Sequence, residues 1–391
     1  MASLEARAVT RLAVAAISAR MLAESAAQAG FAAVALDLFG DRDTRLASAE
    51  WSPIGAPMGL QIDAELTLQA LQRVARRGET LGWVAGSGFE ALPDLQEQGA
   101  QVLPLIGTPA ASVRRVREPA TFFGFLDAVQ IAHPQVSAAP PADLSGWLLK
   151  SARGTGGWHI RHALPRAEVA VPEHHYFQRH APGLPMSATF IANGRDACVL
   201  GFNELIVRSV NGRPFVFCGA IGPVPLPAAV ASQVVRAVRL LAAEFSLRGA
   251  CSLDFMLDGD EVSLLEVNPR PSASMACYAQ HLPQGVMAAH VRACLQAELP
   301  QIDARDLARR SVHGHHIVFA RRRLVLGDAA TARLAEQAHC HDLPFGAAAF
   351  NVGDPVCSAS AAAATGELVR TQLTQRREAL LNTLDTLETW A

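Results

Sequence analysis

The stretch Leu264-Leu265-Glu266-Val267-Asn268-Pro269-Arg270-Pro271-Ser272 decides how this chain reads. Polar and apolar positions alternate as on a β-strand, and prolines on both sides of Arg270 fix the chain where that strand ends. Glu266 and Asn268 stand two apart, so their oxygens lie on one face. Two hard oxygen donors with a carboxylate opposite them are what Mg²⁺ on a polyphosphate requires. Asp254 can supply that carboxylate, because Asp258-Gly259-Asp260 marks a hairpin between the two strands. The hairpin carries a parity condition. Asp254 and Glu266 share a face only if the loop holds an odd number of residues, such as Gly259-Asp260-Glu261; a tight Asp258-Gly259 turn separates them. The plainer alternative is three polar residues on a solvated sheet face.

Working upstream, Leu148-Leu149-Lys150-Ser151-Ala152-Arg153-Gly154-Thr155-Gly156-Gly157-Trp158-His159-Ile160 reads as strand, Gly-rich loop, strand. Glycines let backbone N–H groups converge on an anion, and Lys150 adds a positive charge at the root of the loop. Of the 34 basic residues, Lys150 is the only lysine, against 33 arginines. The bland account is a chain-wide habit of using Arg wherever it will serve, which leaves the one lysine a coincidence; the sharper account is that position 150 needs a compact ammonium that a guanidinium does not imitate. The loop is not a Walker A motif, which places Lys after the glycines. Nor is it the dinucleotide fingerprint, since His159 stands at the third Gly position. An ordinary hairpin is the competing account. A third segment, Tyr176-Phe177-Gln178-Arg179-His180-Ala181-Pro182-Gly183, is an apolar strand entering a Pro-Gly turn, against which a flat ring could lie.

The whole chain sets the bounds. At 391 residues, two or three domains are expected. A net charge of −2 argues against nucleic-acid or anionic-membrane partners. No apolar run is long enough to span a bilayer. Arg7, Arg11 and the run Leu12 to Ile17 faintly suggest an export signal, but Glu5 interrupts the basic region and Arg20 and Glu24 follow at once. Seven scattered cysteines without a C-x-x-C read as reduced thiols of a cytoplasmic protein.

Strands at Leu12–Ile17, Phe31–Leu38 and Leu81–Ala85 alternate with helices at Ala19–Ala29, capped by Ser18, and Leu66–Arg77, around a polar segment Gly40-Asp41-Arg42-Asp43. That alternation predicts a parallel α/β sheet. A helical section over Ala110–Ala132 and a connector over Val136–Asp143 follow. Strands and hairpins then run to Glu266, with one helix at Pro227–Phe245, and a further helix covers Gln284–Ala297. The final ninety residues open on a strand at Ile317–Ala320. They close on a helix whose Leu373, Leu380, Leu384 and Leu387 suit core packing or a homodimer contact. His313-Gly314-His315-His316 and His339-Cys340-His341-Asp342 have zinc-ligand residue types, yet no Cys pair supports a metal there. His159, His162, His174, His175 and His180 lie in the region spanning the Gly-rich loop and the third segment, where any could contact phosphate or substrate; surface placement is the plainer account for each singly.

Together, and in this order, the three segments resemble the ATP-grasp superfamily over most of residues 9–300. The N-terminal part is similar to the domain preceding the ATP-grasp fold in carboligases related to biotin carboxylase. The matching stretches are Ser18-Ala19-Arg20 with Glu24-Ser25-Ala26, Asp37-Leu38-Phe39-Gly40-Asp41, and Gly86-Ser87-Gly88-Phe89-Glu90. The resemblance implies a parallel α/β domain over 1–107, a two-lobed ATP-grasp domain over 108–300 and an α+β domain over 301–391. It implies that Lys150 and Gly154, Thr155, Gly156 and Gly157 close over ATP phosphates, that Gln178, Arg179 and His180 contact adenine, and that Asp254, Glu266 and Asn268 hold two Mg²⁺ or Mn²⁺ ions. One departure stands out. Many members place a second, earlier Lys on the α-phosphate, and here only Arg115 or Arg117 could substitute.

The implied activity is ATP-dependent carboxylate–amine ligation through an acyl phosphate, on small-molecule substrates, with Arg270 steadying the oxyanion or departing phosphate. A carboxylase acting through carboxyphosphate and a non-catalytic ATP-binding regulator are the alternatives. The stretch Gly249 to Met275 is also similar to ATP-grasp proteins of methanofuran- and tetrahydromethanopterin-type one-carbon cofactor pathways, in which glutamate is joined to an amine such as tyramine or tyrosine.

Overall fold

The computed structural model describes residues 10–164, 171–302 and 311–387. The first hundred residues build a parallel sheet from β1 (Arg11–Ala15), β2 (Ala32–Asp37), β3 (Glu50–Pro53) and β4 (Thr80–Ala85), in the order β3-β2-β1-β4. The helices α1 (Arg20–Gln28), α2 (Arg42–Ala47), α3 (Ala64–Arg76) and α4 (Pro93–Val102) connect and cover it. Leu12 and Val14 pack with α1 while Ala13 packs with α3, which is why β1 is apolar on both faces.

Three details correct the sequence reading. Ser18 does not cap α1; the Asp37 carboxylate at the end of β2 accepts the Ala19 amide at 2.8 Å instead. The polar segment at 40–43 opens α2, where Asp41 is the cap and accepts Thr44 N–H at 2.7 Å. The helical section expected over 110–132 is two helices, α5 (Ala110–Arg117) and α6 (Pro119–Ala128). Pro119 pushes Glu118 into an extended conformation, and the Glu118 carboxylate then starts the second helix by accepting Thr121 N–H at 2.6 Å.

A second, antiparallel sheet has the order β5 (Val136–Ser137), β8 (His175–Arg179), β6 (Trp147–Ser151), β7 (Arg161–His162). Its edge strand β5 lies inside the segment expected to be plain connector. The third sheet is antiparallel throughout. Its members are β9 (Leu184–Asn193), β10 (Ala197–Val210), β11 (Arg213–Val224), β12 (Arg248–Asp258), β13 (Glu261–Asn268), β14 (Val312–Phe319), β15 (Cys340–His341) and β16 (Pro355–Ala363). They are ordered β13-β12-β9-β10-β11-β14-β16-β15, so the strands after residue 311 extend the sheet that holds Glu266.

Helix α7 (Ala228–Glu244) packs with Ala188, Phe190 and Phe255 on one face of this sheet; α8 (Gly285–Gln296) packs with Ile191 and Ala250 on the other. The leucine seam of α9 (Gly366–Asp385) is core: Leu373, Leu380 and Leu384 are buried with Val318, Val356 and Ala359. Among the described residues no helix is long and apolar enough to cross a membrane. All seven cysteines are free thiols.

Candidate active site

The hairpin meets its parity condition by a route the sequence reading did not foresee. Asp258 pairs with Glu261, so Gly259 and Asp260 form a tight two-residue turn with Gly259 at φ +59°. That turn alone would put Asp254 and Glu266 on opposite faces. A β-bulge restores them: Phe255 pairs with Leu264 while Asp254 pairs with Glu266, leaving Leu265 as the extra residue. The two carboxylates therefore stand directly opposite each other across the ladder.

Their environments push them apart. Burial, reinforced by Glu266, raises Asp254 to about 7. Burial also disfavours charge on Glu266, but Arg117 and Lys150 outweigh it and hold that carboxyl at about 2. Burial and mutual repulsion thus set the pair against carrying two full negative charges, with Asp254 the raised partner and Glu266 the lowered one.

A ring of hydrogen bonds ties this pair to the Gly-rich loop. In one direction Arg117 donates to Glu266 Oε2 at 3.1 Å, and to the carbonyl oxygens of Ala152 at 3.2 Å and Gly154 at 2.7 Å. In the other, Thr155 Oγ1 donates to Glu90 Oε1 at 2.8 Å, and Arg270 pairs with the same Glu90, whose side chain is 0% exposed. Arg270 also donates to Asn268 Oδ1 at 3.1 Å, and Asn268 Nδ2 donates to Asp254 Oδ2 at 3.1 Å, which closes the ring. Despite its burial, Glu90 is held below the ordinary carboxylate range by Arg270.

Lys150 lies opposite Tyr176 in the β6–β8 ladder and is buried. Its Nζ donates to Gln178 Oε1 at 3.1 Å and sits 5.9 Å from the Tyr176 ring centre. Burial works against the ammonium, yet Tyr176 and Glu266 keep it above its ordinary value. The loop that follows spans the two sheets: Phe217 N–H of β11 donates to Gly156 O at 3.0 Å. Gly157, at φ +77°, comes so close to Phe215 O that a Cβ there would meet it at 1.9 Å. The loop is thus a hairpin between β6 and β7 that docks on the larger sheet, with Gly156 and Gly157 serving the docking.

Of the three residues read as an adenine contact, only Gln178 turns toward Lys150, and its buried Nε2 lacks a hydrogen-bond partner. Arg179 and His180 are exposed. Arg179 donates to Ser145 O at 2.7 Å, and the His180 ring lies 5.8 Å from that of Phe215. Between the candidates for the missing lysine, Arg117 is in the site. Arg115 points outward to an exposed pair with Glu244.

His159, expected at the surface, is instead tucked beneath the loop. Burial first, then Lys150 and Arg117, hold it down to about 4 against the pull of Glu266. Glu90 was missed as a site residue, although its motif Gly86-Ser87-Gly88-Phe89-Glu90 was visible. Also missed was the buried network under β12, in which Tyr278 Oη donates to Asn203 Oδ1 at 2.7 Å and Asn203 Nδ2 to Ser187 Oγ at 3.1 Å. Ser187 pairs with Asp254 in the ladder.

The donor set fits a hard divalent cation. Asp254 is held partly protonated where a second carboxylate charge lacks compensation, which a cation would supply. Asn268 presents its nitrogen to Asp254 here, so its amide must turn about a soft terminal torsion to offer oxygen. Among the described residues no three His, Cys, Asp or Glu side chains gather as a metal site, and this includes the histidine clusters at 313–316 and 339–342.

Residues 121–274, which run from α6 through the loop to just past Arg270, match the ATP-grasp domain family. Solved structures with the same fold include an N5-carboxyaminoimidazole ribonucleotide synthetase from Thermus thermophilus, 19% identical, with 97% of this chain and 100% of that one covered at TM-score 0.64. They also include an L-amino acid ligase from Bacillus licheniformis (14% identical, 98% and 99% covered, TM-score 0.65). The biotin carboxylase domain of a single-chain bacterial carboxylase is a third (14% identical, 97% and 90% covered, TM-score 0.65). No curated protein sequence matches the chain. Residues 121–274 therefore form an ATP-grasp domain, and the chain, its parallel N-terminal sheet included, shares the overall fold of these structures along its length.

Proposed function

We propose that this protein is an ATP-dependent ligase that activates a small-molecule carboxylate as its acyl phosphate and transfers the acyl group to an amine. The observation that carries this reading is the closed ring joining the Gly-rich loop, Arg117, Glu266, Asp254, Asn268, Arg270 and Glu90. It brings phosphate-binding and metal-binding residue types to one place between two sheets. Asp254, Glu266 and Asn268 would hold Mg²⁺ or Mn²⁺, which supplies charge neutralisation on the triphosphate. Lys150, with Arg117 in place of the earlier lysine, would follow the phosphates; Gln178 would face the base.

A carboxylate oxygen attacks the γ-phosphorus, the bond to the β-phosphate oxygen breaks and ADP leaves. The amine nitrogen then attacks the acyl carbonyl, loses a proton and expels phosphate. Arg270, anchored by Glu90, is placed to steady the negative oxygen that develops at that carbonyl. The loop would exclude water that hydrolyses the acyl phosphate. Glutamate with an amine is the substrate pair we would test first.

The test is ADP release by purified protein with Mg²⁺ across paired carboxylates and amines, with bicarbonate as a separate arm. Amine-dependent release that Glu266→Gln abolishes is expected. Release that needs bicarbonate and no amine would replace this reading with the carboxylase, and activity surviving Glu266→Gln would sink the metal assignment.

A further inference from the structure

Glu90 receives donors from three directions. Arg270, just past the end of β13, donates to Glu90 Oε1 through Nε at 3.0 Å and again through Nη2. The Gly88 amide, in the turn that carries Glu90, donates to Oε2 at 2.7 Å. The third donor is Thr155 Oγ1, 2.8 Å from Oε1, and it comes from the Gly-rich loop. Hydrogen bonds to a carboxylate closed off from water are strong, and the Glu90 side chain is fully buried. Pro269 and Pro271 stiffen the chain around Arg270, so that donor stands on a rigid part of the molecule. The loop itself is held elsewhere through its main chain. Arg117 takes the Ala152 and Gly154 oxygens, and Phe217 N–H takes Gly156 O. None of these contacts uses the Thr155 hydroxyl, so the shape of the loop does not depend on it. What the hydroxyl adds is a link, because one oxygen of Glu90 is shared between the loop and Arg270.

We propose that Thr155 is a positioning residue which, through Glu90 Oε1, couples the seating of the Gly-rich loop to the aim of Arg270. This rests on the ligase reading above for what Arg270 does, and adds to it an order of events. A seated loop completes the donor set that holds Glu90, and Glu90 holds Arg270 toward the acyl carbonyl. A lifted loop takes one donor off that oxygen, and the guanidinium loses part of its anchor. The donor for the developing negative oxygen is then fully set only while the loop covers the nucleotide, which confines acyl transfer to the closed site from which water is excluded. Such coupling is reciprocal, so whatever loosens the grip of Arg270 on Glu90 also loosens the loop. A threonine that served the loop alone would not carry this signature.

The experiment is limited trypsin digestion of the full-length protein without nucleotide, following cleavage after Arg153, which is exposed within the loop. Cleavage after Arg195, in the exposed turn between β9 and β10, reports global unfolding. Thr155→Val removes the hydroxyl at nearly constant shape and should speed loop cleavage about 10-fold. Thr155→Ser restores the donor and should stay within about threefold of the unaltered protein. Arg270→Lys keeps the charge but not the forked grip, and should speed loop cleavage as well, although residue 270 lies outside the loop. Unchanged loop cleavage in Thr155→Val, or an equal gain in the Val and Ser variants, overturns the proposal. So does unchanged or slower loop cleavage in Arg270→Lys, since the two ends would then be independent. Should Thr155→Val unfold, seen as faster cleavage after Arg195, Thr155→Ala takes its place. A parallel digestion with Mg²⁺-ATP keeps the two readings apart. If ATP does not slow loop cleavage in the unaltered protein, the nucleotide reading falls, whereas the link from Thr155 to Arg270 is judged by the digestion without it.

Discussion

Arg270 and Lys150 act on the same two carboxylates from opposite ends, and they are held in different ways. Arg270 is paired with a fully buried Glu90 and also bonds Asn268, so its charge is met and its direction fixed before any ligand arrives. Lys150 leans on the neutral oxygen of Gln178 and the Tyr176 ring, and among the described residues no carboxylate lies within ion-pairing distance of it. One end is built like a strut; the other keeps a buried positive charge in reserve. Chemistry at a carbonyl needs an oriented donor, and grip on a polyphosphate needs an unspent cation.

Removing the strut gives the largest expected effect. Glu90→Gln leaves Arg270 without its buried counter-charge and should cost about 3–5 kcal/mol of stability, read by chemical denaturation. A fully stable variant would mean that Arg270 is supported elsewhere. At the other end Lys150→Arg preserves charge but not its compactness, and should lower ATP-dependent ADP release about 100-fold with little change in stability. Full activity would return the chain's lone lysine to coincidence.

Between the two ends, Asp254 sharpens the contrast through pH. Its folded pKa of about 7 lies above its ordinary 3.8, so the stability it contributes is full below about 4 and is lost as pH rises to 7. With chelator present, Asp254→Asn should flatten the fall in stability over that window; parallel profiles for the two proteins would contradict the burial of its charge. The smallest effect belongs outside the site. Arg115→Ala removes only an exposed pair with Glu244 and should change stability by less than about 1 kcal/mol, leaving ADP release intact. A loss of activity there would move the role assigned to Arg117 to the opposite face of α5.

What was legible in the sequence follows the range of the interactions. The Lys150 loop and the Glu266-x-Asn268-x-Arg270 ending are local, written in period-two alternation, glycine and proline. The parity rule for the hairpin named the right constraint and the wrong device, because nothing about Leu265 marks it as a bulge. Arg115 and Arg117 could not be separated before the break at Pro119 set the phase of α5. Glu90 reaches Arg270 across 180 residues, from the turn that follows β4. Likewise, the burial of His159 depends on how Gly154 folds over it, which spacing does not encode.

The continuity of the largest sheet bears on how this protein can be cut. All the residues assigned to the site lie before residue 303, so a fragment ending after α8 would look self-sufficient on paper. Yet β11 gives Gly219 to Gly222 to a ladder with His316 to His313 of β14. Stripping that partner would bare the edge of a twelve-residue strand in mid-sheet. Such an edge recruits other chains, so a fragment ending after α8 should aggregate, and the strands after residue 311 act as the border that covers that edge.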